Sequence, residues 1–385
     1  MSSAKTCDVA VVGAGVFGAW IALQLARHGK RVVLLEAYGP GHSRSSSGDE
    51  SRIIRMGYGA DEIYTRWSQR SLILWKELFL ATRNEPLFQQ TGVLWLAEPQ
   101  NAMLRATRAV LARCGVNFAE LDRTTLIERY PQINYDGIAN GVYEPESGVL
   151  MARRAVAATV AEAVRLGVHY RVSEVIPPRE SGKLSLIRTA SGEEFAAEEF
   201  VFACGAWLGK LFPQILGERI FPTRQIVFYL GFPAGDQAFS PPALPTFLFK
   251  TDASYGMPNL ESRGVKIGMD VHGEAVDPDT QSRMVTPKES QRIREYVGFR
   301  FPALKNAPIV ETRVCQYENT SSGDFLIDRH PQMDNVWLVG GGSGHGFKHG
   351  PAVGQYLASR LADNAESEPR FSLANKETAQ KRTVY

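Results

Sequence analysis

Near its start the chain reads Val9-Ala10-Val11-Val12-Gly13-Ala14-Gly15-Val16-Phe17-Gly18, and it reaches Glu36 after a second apolar run. No other stretch constrains the fold as strongly. An uninterrupted apolar run has the pattern of a buried parallel strand, and Val16 to Arg27 has helical apolar spacing. Arg31 to Leu35 then reads as a second strand that delivers Glu36 at its carboxyl end. Strand, glycine turn, helix and strand with a terminal acid make up the dinucleotide-binding βαβ unit. Gly13 permits the turn, and Gly15, next to Ala14, lets backbone approach a pyrophosphate held by the helix N-terminus. Gly18 lets the helix close on the strand. Glu36 can accept hydrogen bonds from the hydroxyls of an adenosine ribose. The motif does not separate FAD from NAD.

A length of 385 residues points to two domains, and 44% hydrophobic residues supply large cores. Lys+Arg 43 against Asp+Glu 41 leaves a net charge of +2, which argues for neither nucleic acid nor a membrane surface as partner. Cys7, Cys114, Cys204 and Cys315 lie far apart without metal-ligand spacing. That fits a reducing compartment, and the expected location is cytoplasmic, with no peroxisomal tripeptide in Lys381-Arg382-Thr383-Val384-Tyr385. The apolar stretch Val9 to Ala26 contains spaced glycines and lacks a basic leader and a cleavage site. It is therefore read as the βα unit and not as a signal or membrane segment.

Further along, Gly39 to Asp49 is a small, polar loop rich in hydroxyls, Ser47 among them, at the ligand end of the sheet. In Ser51-Arg52-Ile53-Ile54-Arg55, local sequence slightly favours a pair of solvated charges. Helices are expected over Ile63 to Leu80, Ala102 to Cys114, Arg153 to Leu166 and Ala352 to Leu361, and strands over Thr91 to Leu96, His169 to Val175 and Val336 to Val339. Val175 is a candidate adenine contact. A buried strand from Phe200 ends in the glycine turn Gly205-Ala206-Trp207, and Gln225 to Leu230 and Gly264 to Met269 are strand-rich. Near the end, strand, glycine-rich loop (Gly340 to Lys348) and helix again aim backbone N–H groups at a ligand. The expected architecture is α/β. A Rossmann-like domain (1–80, 150–220 and 315–385) is interleaved with a sheet-rich substrate domain (81–149 and 221–314).

These residues resemble the monomeric sarcosine oxidase group of FAD-dependent amine oxidases, within the D-amino-acid-oxidase-like superfamily. The resemblance covers nearly the whole chain. It rests on Gly13-Ala14-Gly15, Arg52-Ile53-Ile54-Arg55, Glu144-Pro145 with Gly148, Gly205-Ala206-Trp207, Gly264-Val265-Lys266-Ile267-Gly268 and Asp277-Pro278-Asp279-Thr280. Most specific are Cys315-Gln316-Tyr317, Asp328 with His330-Pro331, and Gly344-His345-Gly346-Phe347-Lys348.

The resemblance implies bound FAD, contacted by Gly344 and Phe347 and covalently attached through Cys315. It makes Arg55 and Lys348 the holders of a substrate carboxylate and Lys266 the lysine that activates oxygen. Tyr255, Tyr317 and His345 line the substrate pocket, and Arg52 lies near the flavin. Each implied role has an ordinary competitor: surface charge for Arg55 and Lys348, an exposed strand position for Lys266, a small buried hydrophobe for Cys315, a satisfied core histidine for His345. No set of ligands around His345 supports a metal site. Ser46 and Ser47 stand where the family usually has two histidines, Glu50 looks inserted, Asp270 replaces a histidine, and His349 replaces an aromatic residue. The expected activity is oxidation of a small secondary, N-methyl amino acid such as sarcosine, giving an imine, then aldehyde and amine, with oxygen reduced to hydrogen peroxide. Alternatives are another amine (glycated amino acid, pipecolate, glycine), a flavin-dependent dehydrogenase that uses an electron carrier, or a flavin-bearing subunit that mainly binds a partner. A monomer is favoured.

Overall fold

The structure, a computed structural model, describes residues 5–362 and 365–381, so residues 382–385 of the C-terminal sequence lie outside it. The two apolar runs at the start form adjacent parallel strands, Lys5–Val12 and Val32–Glu36, the second buried at every position. Parallel strands covered on both faces need continuous apolar sequence, and Val9–Val12 and Val32–Leu35 have it. Glu194–Phe202 and then Met333–Gly340 extend the sheet in parallel on one side, and His169–Val172 extends it on the other. Leu326–His330 closes the first edge antiparallel, and Leu186–Arg188 pairs with Glu194–Phe202. The strand expected over His169 to Val175 ends at Val172, and Val175 makes only an isolated bridge with Thr189.

Helices Val16–Arg27, Ala152–Arg165 and Gly350–Leu361 pack over one face of this sheet, and Glu62–Ala81 lies behind them. Trp20 and Trp75, both fully buried, meet edge to face at 4.9 Å. On the other face Phe195, Phe200, Phe202, Phe212 and Leu338 form a separate core.

The second sheet has eight strands. In spatial order they are Ile309–Asn319, Phe221–Leu230, Val265–Met269, Ser254–Met257, Thr246–Phe249, Val93–Ala97, Asn140–Glu144 and Ala119–Asp122. Helix Pro287–Arg300, opened by a Thr286–Glu289 capping box, covers its outer face through Ile293 and Val297. A small sheet of Arg52–Ile54, Gly148–Leu150 and Phe88–Gln89 joins the two units.

Two of the expected domain limits fall inside strands. The 314/315 limit cuts Ile309–Asn319, which pairs with Phe221–Leu230 along almost all of its length, and the 149/150 limit cuts Gly148–Leu150. A strand carries its ladder straight from one unit to the next, and no turn residue marks the passage. Among the described residues no helix is long and apolar enough to cross a membrane.

Candidate active site

The first strand ends at Gly13, which has φ +99°, and the helix starts at Val16 with no side-chain cap and no acid in its first turn. The three glycines serve different ends. A Cβ on Gly13 would lie 2.5 Å from the Ala203 carbonyl oxygen, and one on Gly18 would lie 1.8 Å from that of Gly13. Both are therefore required by the chain's own packing. At Gly15 a Cβ would meet only Ser47 Oγ, at 3.5 Å, so the open backbone there faces a cavity. Ser47 Oγ accepts a hydrogen bond from Val16 N–H at 3.1 Å.

Glu36 is bound to its own turn. Its Oε2 accepts from Ala14 N–H at 2.7 Å and its Oε1 from Tyr38 N–H at 3.1 Å. Burial raises its pKa against these amides. His42 Nε2 lies 3.5 Å from Glu36, but burial, with Arg44 and Arg283 nearby, pushes the imidazole down to about 4. The contact is thus made by a neutral ring at physiological pH.

The cavity measures about 350 Å³ and runs from Val175 and Tyr38, past Gly13 and Gly15, to Arg52 and Tyr317. Glu36, Ser47, Gly205, Trp207, Gly344 and Phe347 also line it; Ala14, Gly18 and Cys315 do not. Trp207 Nε1 donates to Asp279 at 2.7 Å, and Lys210 pairs with Asp277 and Asp279, so the Asp277–Asp279 turn of the second unit clasps the mouth of the first.

At the inner end one buried carboxylate organises two cations. Asp49 Oδ2 takes Arg52 Nη1 at 2.7 Å and Lys266 Nζ at 2.5 Å, and Asp49 Oδ1 accepts from Tyr229 at 3.2 Å. Burial works against the Asp49 carboxylate, but Lys266 and Arg52 outweigh it and hold its pKa well below the usual range. Burial lowers the Lys266 ammonium, with Asp49 opposing. The structure overturns the ordinary readings here. Lys266 is 2% exposed, and Arg52 and Arg55 are not solvated charges. Arg52 Nη2 also reaches the Ser46 carbonyl at 2.9 Å and Cys315 Sγ at 3.7 Å.

Arg55 and Lys348 converge on Tyr58. The Arg55 guanidinium lies over the Tyr58 ring (4.3 Å to the centroid) and the Trp95 ring (4.7 Å), and it donates to the Gly57 carbonyl. Lys348 Nζ donates to Tyr58 Oη at 2.7 Å and to the His345 carbonyl at 2.9 Å. Burial, with Arg55 beside it, drives the Lys348 ammonium far below the lysine range. His345 is not on the cavity wall; its Nε2 is 2.9 Å from the Gly323 carbonyl, and its ring stacks on Phe325 at 4.9 Å. Its carbonyl oxygen holds Lys348 Nζ, so His345 stands beside the Arg55–Lys348 pair and off the cofactor cavity.

Tyr317 is the link between the halves. It lines the cavity, it and Tyr255 influence each other's titration, and burial raises both phenols. Gly268 stands opposite Tyr255 in the ladder, and a Cβ there would strike the Tyr255 ring at 2.8 Å. Asp270, just past the end of Val265–Met269, feels Lys250, Arg55 and Lys348, though burial raises its carboxyl overall.

The FAD-dependent oxidoreductase (DAO) family model matches residues 8–360. The chain belongs to that family. It is 32% identical over 394 residues to monomeric sarcosine oxidase of Bacillus sp. (strain B-0618), covering 98% of this chain and 99% of the relative. It is also 32% identical to human peroxisomal sarcosine oxidase, covering 91% and 90%. Among solved structures, L-proline dehydrogenase from P. horikoshii superposes with a TM-score of 0.82 at 22% identity, covering 96% of this chain and 97% of that one.

The protein is a flavin-dependent amine oxidoreductase. Its residues fit FAD: a helix N-terminus with no acid in its first turn, an open Gly15 and a second glycine loop face one long cavity. Sequence reasoning on this DAO-family flavoenzyme gave no role to Asp49, Tyr58, Trp95 or Glu318. Asp49 is a loop acid beside Ser47, and its partner Lys266 is 217 residues away. Nothing local could have paired them.

Proposed function

We propose that this flavoenzyme oxidises a small secondary, N-methyl amino acid such as sarcosine and passes the electrons to oxygen. The observation that carries this reading is the convergence of Arg55 and Lys348, both buried, on Tyr58. Burial beside Arg55 disfavours the Lys348 ammonium, and a bound carboxylate would restore it and take charge-assisted hydrogen bonds from both side chains. The substrate amine would lie between this anchor and Tyr317, the residue shared with the cofactor cavity. Cations nearby lower the pKa of a substrate ammonium, so the amine is held in the neutral form that can be oxidised. When bound, FAD supplies the acceptor for the hydride equivalent leaving the carbon next to nitrogen. The imine takes up water and yields aldehyde and amine, and oxygen leaves as hydrogen peroxide. Lys266 and Arg52 are proposed to supply positive charge for oxygen reduction. Cys315 is proposed as the attachment point of the flavin. The sarcosine oxidases among the relatives support the substrate class.

One observation favours a second amine. The half-buried Asp270, electrostatically coupled to Arg55 and Lys348, offers an acceptor to a donor-rich nitrogen substituent such as that of a glycated amino acid. Anaerobic flavin bleaching by sarcosine, glycine, pipecolate and a glycated amino acid, followed by peroxide measurement in air, tests both readings. Bleaching by sarcosine with one peroxide per amine is expected. Reduction without peroxide would make the protein a dehydrogenase, and bleaching by the glycated compound alone would move the substrate to the second class.

A further inference from the structure

We propose that Glu318 is a proton-carrying ligand of FAD: as a neutral carboxyl group it donates a hydrogen bond from Oε2 to an acceptor oxygen of the cofactor. The proposal rests on the FAD assignment and concerns a residue to which no role has been given.

Glu318 is the penultimate residue of Ile309–Asn319, is 7% exposed, and lines the cofactor cavity. Its Oε1 accepts from Gly342 N–H at 3.1 Å. Its Oε2 is buried and has no hydrogen-bond partner among the described residues. A carboxyl group so placed needs somewhere to send a proton or a charge, and the protein provides neither an acceptor nor a cation. Uncharged glycines cradle it: a Cβ on Gly205 would lie 3.5 Å from Oε2, one on Gly340 3.3 Å from Oε2, and one on Gly342 3.3 Å from Oε1. Burial pushes the carboxyl up to about 7, against the pull of the Gly342 and Gly341 amides.

The other titratable groups nearby are committed elsewhere. Burial keeps Cys204 a thiol and Tyr317 a phenol. Lys210 pairs with Asp279 at the mouth, Arg52 with Asp49, and Lys348 and His345 turn toward Tyr58 and Gly323. Glu36 shares the cavity but accepts amide hydrogens at the far turn. FAD brings a doubly negative pyrophosphate. An ionised Glu318 in the same cavity would repel that charge, whereas the neutral acid can donate to a cofactor oxygen, so binding FAD and keeping this proton are linked.

Linkage sets the sign. If FAD binds the protonated form, its affinity is constant below about pH 7 and falls by up to about tenfold per pH unit above it. The test uses the full-length chain freed of flavin, in a Cys315→Ala background that keeps binding reversible. FAD affinity is followed by quenching of flavin fluorescence from about pH 6 to about pH 8.5, and proton uptake by calorimetry at about pH 8 in two buffers of different ionisation enthalpy. Native Glu318 should show the slope and take up close to one proton. Glu318→Gln, neutral and still a donor, should bind FAD with no slope and no uptake. The proton count on native Glu318 keeps the test decisive if the variant does not fold. Tight FAD binding with neither slope nor uptake, or a Gln variant that retains both, would overturn the proposal alone. Failure to bind FAD at any pH would instead refute the cofactor assignment.

Discussion

Cys315 Sγ lies 3.7 Å from the Arg52 guanidinium, against the cofactor cavity but outside its lining. The sulfur is held by the strand that also carries Tyr317, and the guanidinium is fixed by Asp49 and the Ser46 carbonyl. If this is the point of attachment, purified protein should keep its yellow colour on the polypeptide after acid precipitation. Cys315→Ala should release the flavin to the supernatant. A native protein whose flavin extracts freely would remove Cys315 from this role.

Removing the Lys266 charge has two consequences that can be separated. Asp49 loses one of its two cations in a buried site, and breaking such a pair costs about 3–5 kcal/mol. Lys266→Met should therefore lower the urea midpoint, and adding Asp49→Asn should recover part of the loss. In the variant that folds, oxygen should reoxidise the flavin far more slowly, while anaerobic reduction by substrate changes little. Stopped-flow traces with normal reoxidation would leave Lys266 a structural partner of Asp49 and nothing more.

The carboxylate anchor predicts a discrimination by substrate. A hydrogen bond to a charged group is worth roughly 1.5–3 kcal/mol, so Arg55→Ala or Lys348→Ala should weaken binding of an N-methyl amino acid by about one to two orders of magnitude. The matching amine without its carboxylate should bind poorly to the native protein and be little affected by either change. Equal flavin reduction of the native protein by both compounds would count against the anchor.

The glycines divide the same way. Gly18→Ala should destabilise the fold with or without FAD, because its Cβ would collide with the Gly13 carbonyl. Gly15→Ala should leave the flavin-free chain near its native melting temperature and yet weaken FAD binding. Equal thermal losses in the two variants would mean that Gly15 too is a packing residue.

Much of the first unit was legible because its elements are periodic. Val16–Arg27 and Val32–Glu36 follow from apolar spacing, and the long helix Glu62–Ala81 differs from its expected span by one residue at each end. The site was legible only where motif residues carried it. Arg55 looked like surface charge because Tyr58 and Trp95, which cover it, share no local pattern with it. Asp49 and Glu318 escaped for a like reason. Each is an acid whose meaning comes from what lies across the fold: two cations for one, a glycine cradle for the other.

Strand Ile309–Asn319 belongs to the substrate sheet along most of its length and ends as part of the cofactor cavity. Its side chains alternate, so a single inserted or deleted residue would exchange the faces on which Cys315, Tyr317 and Glu318 stand. The two units are consequently not interchangeable cassettes. A chimaera that takes its substrate sheet from a relative has to take this strand whole, with its crossover placed in the turn that follows Asn319. Substrate range can then diversify in the loops of that sheet, while the register of one strand stays frozen by the cofactor.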